Sequence, residues 1–161
     1  MGCRERLQQW FREQRVTYAL TQHPEAFTAQ QVAASEHISG YGVAKVVMAV
    51  SDGMLVMLVL PAPYRVDLVR LKRALGATAV RLAREDEFAS LFPDCEVGAM
   101  PPFGNLYGVP VYVDVTLTND PQIVFNAGSH RETMTVAFSD FVRLTGPQIV
   151  EFAAVPRAVA V

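Results

Sequence analysis

Lys45 is the residue whose type and setting ask most directly for chemistry. It interrupts the run Val43-Ala44-Lys45-Val46-Val47-Met48, whose other members are all apolar. An ammonium group is costly to bury without a partner, so a lysine here either snorkels to the surface or is a cation aimed into a cleft. In a cleft it suits a phosphate or a polarised carbonyl. The residues alone leave both readings open. A second candidate is Gly98-Ala99-Met100-Pro101-Pro102-Phe103-Gly104. Its prolines stiffen the backbone and its glycines permit positive φ and close approach, which suits a loop that holds a water or an oxyanion with main-chain groups. A purely structural Pro/Gly loop is the competing reading. The third is Asn126-Ala127-Gly128-Ser129-His130. Neighbours in an extended chain point to opposite faces, so Ser129 and His130 do not form a direct nucleophile–base pair, and His130 is kept for a substrate hydrogen bond. Asp114 lies among Val111, Val113 and Val115, where an inward carboxylate needs a partner; Lys45 is one candidate and solvent exposure the alternative.

The elements that must position these residues are legible in the patterning. Residues 3–15 place Leu7, Trp10 and Phe11 at helical spacing among charges. Residues 16–23 alternate as a strand, and Thr28 is placed to cap a short helix before Gly40 and Gly42. Residues 44–61 read as two central strands around Asp52-Gly53, a pair suited to a tight hairpin. A helix over 67–75 stops at Gly76, a short strand follows near Val80, and 85–92 is a further helix. Beyond the irregular stretch 94–108, strands are expected at 109–117, 121–128 and 132–138. A helix capped by Ser139 and a last strand near the end complete the order. Helices and hairpins interleave without regular βαβ alternation. That predicts one α+β domain over 1–161, with a largely antiparallel, curled, barrel-like sheet surrounded by helices.

Composition narrows the function. The 161 residues are 51% hydrophobic with a net charge of −2, which excludes global disorder and the large basic footprint of a DNA-binding protein. Basic residues gather in 4–15 and 65–84, enough for a local patch or an ordinary solvated face. No apolar run approaches the ~20 residues of a membrane span. Cys3 and Cys95 show no CxxC pair, and the three His (His23, His37, His130) are scattered, so no metal or other cofactor is expected. The N-terminus lacks a secretory pattern, and a reducing cytoplasm is the expected compartment.

Laid side by side, these elements resemble the YbaK family, the module also inserted as the editing domain of bacterial prolyl-tRNA synthetases. The resemblance runs from about Tyr18 to Leu144. It rests on Tyr18…His23-Pro24…Thr28-Ala29, Ala44-Lys45-Val46-Val47, Gly98 to Gly104, Val111-Tyr112-Val113-Asp114 and Phe125-Asn126-Ala127-Gly128-Ser129. It implies a trans-acting deacylase that hydrolyses the ester of mischarged aminoacyl-tRNA, with a synthetase as an expected partner. In that reading Lys45 anchors the terminal adenosine through its phosphate. The backbone of Gly98 to Pro102, Gly98 and Pro101 above all, positions the attacking water, and Ser129 lines the other side of the catalytic group. Ala44, Pro102, Gly128, His130 and Asp114 fall with the substrate-binding residues, and Tyr18, Phe27, Met100 and Phe103 are candidates for the amino-acid pocket. A non-catalytic module that holds an aminoacylated end or a nucleotide on the same fold is the alternative.

Overall fold

The computed structural model describes residues 2–22 and 42–155. In chain order the elements are α1 (Cys3–Glu13), β1 (Tyr18–Gln22), β2 (Ala44–Ser51), β3 (Met54–Pro61), β4 (Arg65–Val66), α2 (Leu68–Leu75) and β5 (Val80–Leu82). There follow α3 (Glu85–Phe88), β6 (Val111–Asp114), β7 (Gln122–Asn126), β8 (Glu132–Ala137), α4 (Phe138–Thr145), β9 (Gln148–Val150) and β10 (Ala153–Ala154). The expected helix around Thr28 lies outside the described residues.

The hairpin β2–β3 is the centre of the largest sheet. Its strands pair antiparallel along their full length, from Ala44 opposite Pro61 to Ser51 opposite Met54. The turn has φ of 47° at Asp52 and 83° at Gly53, the positive values that a two-residue hairpin of matching twist requires. The Asp52 carboxylate also accepts from the N–H groups of Thr78 and Ala79 at 3.0 and 2.8 Å, which ties the approach to β5 to the hairpin tip. Helix α2 stops at Gly76 as its sequence predicts, and Asp67, expected as its first residue, is its N-cap. Asp67 accepts from the N–H groups of Val69 and Arg70, and Gly76 ends the helix in the left-handed region.

The large sheet has the order β5-β2-β3-β6-β9. It is antiparallel through β5, β2 and β3, then parallel from β3 to β6 and from β6 to β9. A separate antiparallel sheet runs β1-β8-β7, and β4 pairs with β10. The α+β class holds, but the barrel-like curl does not: none of these sheets closes on itself. A single parallel bridge between Val43 and Val124 links the two larger sheets, and parallel addition of β6 and β9 extends the main sheet rather than bending it round.

Period-2 alternation sorts β2 and β3 between two cores. Ala44, Met48, Met57 and Val59 pack with Val111, Val113, α1 and α4. Ala49, Leu58 and Leu60 pack with Leu71 of α2 and with Phe152. Two further expectations change. The strand predicted over 109–117 ends at Asp114, because the Asp114 carboxylate takes the Thr116 N–H and hydroxyl and turns 115–119 into a 3-10 helix. Helix α4 starts at Phe138, ahead of Ser139. It has no side-chain cap, and its first N–H donates instead to Pro121 O at 2.8 Å.

Candidate active site

The loop at 96–99 and the turn at 127–130 are sewn together by their own backbones. The Glu96 N–H donates to Gly128 O at 2.8 Å, and the Gly128 N–H donates to Ala99 O at 2.9 Å. The His130 N–H reaches a Glu96 carboxylate oxygen at 3.2 Å, and His130 Nε2 sits 2.9 Å from Val97 O. Ser129 Oγ accepts from the Arg131 N–H at 2.9 Å, closing the turn. Gly98 has φ of 84°, and an added Cβ there would meet His130 Cε1 at 3.5 Å. Gly98 is exposed, and among the described residues nothing accepts from its N–H. Gly98, Gly128, Ser129 and His130 are therefore one unit, with the Gly98 N–H facing solvent.

Lys45 stands on β2, two residues past Val43, whose bridge to Val124 joins this stretch to the strand that leads into the 127–130 turn. It is half-buried, and desolvation alone pushes its ammonium below the ordinary lysine pKa. It has no hydrogen-bond or ion-pair partner among the described residues. Its parity matches Val47 and Ala49, so it points away from the main core. The Val43–Val124 bridge is parallel; continued by two residues, that register sets Lys45 level with Asn126. Asn126 is 9% exposed, and its buried Oδ1 has no hydrogen-bond partner. Buried side-chain oxygens are nearly always bonded, so an acceptor with no partner among the described residues stands out. Sequence reasoning quoted Asn126 as part of a motif but gave it no role. The signal was present: a polar residue at the end of the apolar strand Ile123-Val124-Phe125.

Other expected site residues fall elsewhere. Phe103 is fully buried, with the rings of Trp10, Phe11, Phe125 and Phe141 between 5.3 and 5.5 Å from its own. A ring enclosed by four others offers no face to an amino-acid substrate, so Phe103 is a keystone of the core. Asp114 is also not a site residue. It is 1% exposed, and one carboxylate oxygen accepts from the Phe152 and Ala153 N–H groups at 2.8 Å each, while the other is held by Thr116. It ties β6 to the last described segment and does not pair with Lys45. Tyr18 is half-buried with its ring 5.5 Å from that of Phe11. Ala44, Met100, Pro101 and Pro102 are buried, and Phe27 lies outside the described residues. Several basic side chains are matched by carboxylates, including Arg4 with Glu132, Arg70 with Glu151, Arg81 with Glu87 and Arg84 with Asp86.

Fold and geometry together define a small α+β domain with two interlocked backbone turns and, on β2, a half-buried lysine with no partner among the described residues. Residues 23–144 match the aminoacyl-tRNA editing domain, and the chain belongs to that family. Solved structures share the whole fold. A hypothetical protein superposes with a TM-score of 0.82 at 21% identity, covering 92% of this chain and 99% of its own. A proposed trans-editing enzyme for prolyl tRNA synthetase superposes with a TM-score of 0.81 at 20% identity, covering 96% and 98%. No curated protein matches the chain by sequence. No helix among the described residues is long and apolar enough to cross a membrane.

Proposed function

We propose that this domain acts in trans as an aminoacyl-tRNA deacylase, hydrolysing the ester that joins a wrong amino acid to the tRNA 3′ end. The observation that carries the reading is the half-buried Lys45, without a partner among the described residues, on the strand bridged at Val43 to Val124, which leads into the interlocked turns of Gly98 and Gly128. Lys45 anchors the terminal adenosine through its phosphate, a contact that restores the charge partner its burial removed. The open N–H of Gly98 faces the ester carbonyl, the loop around it holds the attacking water, and Ser129 and His130 bound the other side. Asn126 Oδ1 accepts a hydrogen bond from a ribose hydroxyl or the substrate ammonium.

An aminoacyl ester is already activated, so placement and oxyanion stabilisation are enough without a covalent nucleophile. Water attacks the carbonyl carbon and the ester C–O bond breaks. The ribose oxygen leaves as a hydroxyl, with its neighbouring hydroxyl relaying the proton, and the free amino acid departs. A synthetase partner or elongation factor would deliver the substrate, since the net charge of −2 gives little long-range attraction for RNA.

The test is a panel of mischarged tRNAs incubated with wild type and Lys45→Ala. Because one structural neighbour is described as acting for prolyl tRNA synthetase, misacylated proline tRNA heads the panel. Hydrolysis of at least one member, lost by about 100-fold or more in the variant, is expected. Binding without hydrolysis of any member would favour the non-catalytic module.

A further inference from the structure

The two cysteines, far apart in sequence, meet in the fold. Cys3 opens α1 and is 4% exposed. Cys95 sits in the turn that follows Phe92, where its N–H donates to Phe92 O at 3.1 Å. The sulfur atoms of Cys3 and Cys95 and a carboxylate oxygen of Asp94 all lie within 4.8 Å of one another. The Tyr107 hydroxyl reaches into the same space. It donates to Asp94 at 3.1 Å and stands 3.4 Å from Cys95 Sγ and 3.9 Å from Cys3 Sγ. Spacing along the chain argued against a metal; the fold supplies the ligand set that the spacing hid.

We infer that Cys3, Cys95 and Asp94 form a binding site for one zinc-class divalent metal ion. Two thiolates and a carboxylate are a donor set that suits Zn²⁺ and excludes the oxygen-seeking Mg²⁺ and Ca²⁺. A tetrahedral ion with bonds of about 2.3 Å to sulfur and 2.1 Å to oxygen sets its ligand atoms roughly 3.6–3.8 Å apart. The present separations reach that with a contraction of about 1 Å or less. The Tyr107 hydroxyl or a water takes the fourth position. Charge also closes: the three anionic ligands carry −3, the ion +2, and the Arg6 guanidinium, 3.8 Å from Asp94 Oδ2 and stacked 4.8 Å over the Tyr107 ring, supplies the last +1. A cleft of about 220 Å³, bordered by Arg4, Asp94, Gly128 and Ser129, leads to Cys3 from solvent.

The ion's place in the fold gives it a structural task. Cys3 packs so tightly on Gly128 that a Cβ added there would lie 2.4 Å from the Cys3 Cβ. The ion would clamp the start of α1 to the 94–95 turn, and through Gly128 it would hold the 127–130 turn against the 96–99 loop. This inference stands apart from the proposed reaction, since it concerns metal affinity alone.

The experiment uses the full chain, stripped with chelator and kept reduced with a phosphine, then titrated with Co²⁺ and afterwards with Zn²⁺. One Co²⁺ per chain is expected, with a sulfur-to-cobalt charge-transfer band in the near ultraviolet, tetrahedral bands in the visible, and loss of both on adding Zn²⁺. Cys3→Ser and Cys95→Ser should abolish the charge-transfer pattern of two thiolates. Tyr107→Phe should keep the bands while weakening affinity by about 10–100-fold at most. The wild-type spectrum decides the matter even if a cysteine variant folds poorly. Absence of a sulfur-to-cobalt band in the reduced wild type, or a band unchanged in Cys3→Ser, overturns the site and leaves a hydrogen-bonded pair of thiols.

Discussion

Gly128→Ala is the substitution whose cost the structure states most fully. Two effects act on the same atom. Gly128 has φ of 91°, where an L side chain is disfavoured by about 1–2 kcal/mol. The new Cβ would also lie 2.4 Å from Cys3 Cβ and 2.5 Å from Cys3 Sγ, far inside van der Waals contact. Cys3 cannot swing aside, because its Cβ is fixed by the helix backbone of α1, so either the helix or the turn must move. Overpacking of this kind costs about 1–3 kcal/mol. Together the two predict a loss of about 2–5 kcal/mol, or a fall of roughly 4–20 °C in Tm for a domain of this length. Urea unfolding followed by circular dichroism measures it. Combining Gly128→Ala with Cys3→Gly removes the steric part and leaves the conformational part, so the pair should couple by about 1 kcal/mol or more. A loss below about 0.5 kcal/mol for the single substitution, or strict additivity in the pair, would refute the close-packing argument.

Asp114→Ala strands two buried N–H groups, those of Phe152 and Ala153, and should cost about 2–6 kcal/mol in urea unfolding, while Asp114→Asn, which keeps an acceptor, costs less. Lys45→Met should match or exceed wild-type stability at pH 7. Burial lowers the folded pKa of Lys45, so its charged form weakens the fold below that pKa and the penalty fades as pH rises toward the ordinary lysine value; the variant's advantage should shrink over the same alkaline range in unfolding series. A mischarged tRNA ending in 2′-deoxyadenosine should be hydrolysed slowly if the ribose hydroxyl carries the proton; single-turnover rates equal to those of the all-ribose substrate would remove that step.

How much was legible in the sequence depended on whether the controlling interaction was local. The hairpin at Asp52-Gly53 and the helix that stops at Gly76 are set by residues within a few positions, and both form where they were read, the helix with Asp67 as its cap. The meaning of Asp114 was not local. Its partners Phe152 and Ala153 arrive from the far end of the chain, so a carboxylate read as either a mate for Lys45 or solvent-exposed is instead a structural anchor. Phe103 was misread for a related reason. Its Pro/Gly neighbours marked a loop, but four rings from three separate segments decide that it is core. Parallel addition of β6 and β9 to β3 is likewise fixed by packing across long crossovers, which no window of sequence encodes. The site elements were recognisable as motifs. Their joining through Glu96, Gly128 and Ala99 was visible only in the fold.

The measurement that bears most directly on the central claim is deacylation of mischarged tRNA by wild type and Lys45→Met under single-turnover conditions, with stability recorded for both. The account predicts a fully folded variant, at least as stable as wild type, whose hydrolysis rate falls by about 100-fold or more. A folded variant that hydrolyses its substrate at the wild-type rate would contradict it, and Lys45 would then be no more than a half-buried lysine on a strand.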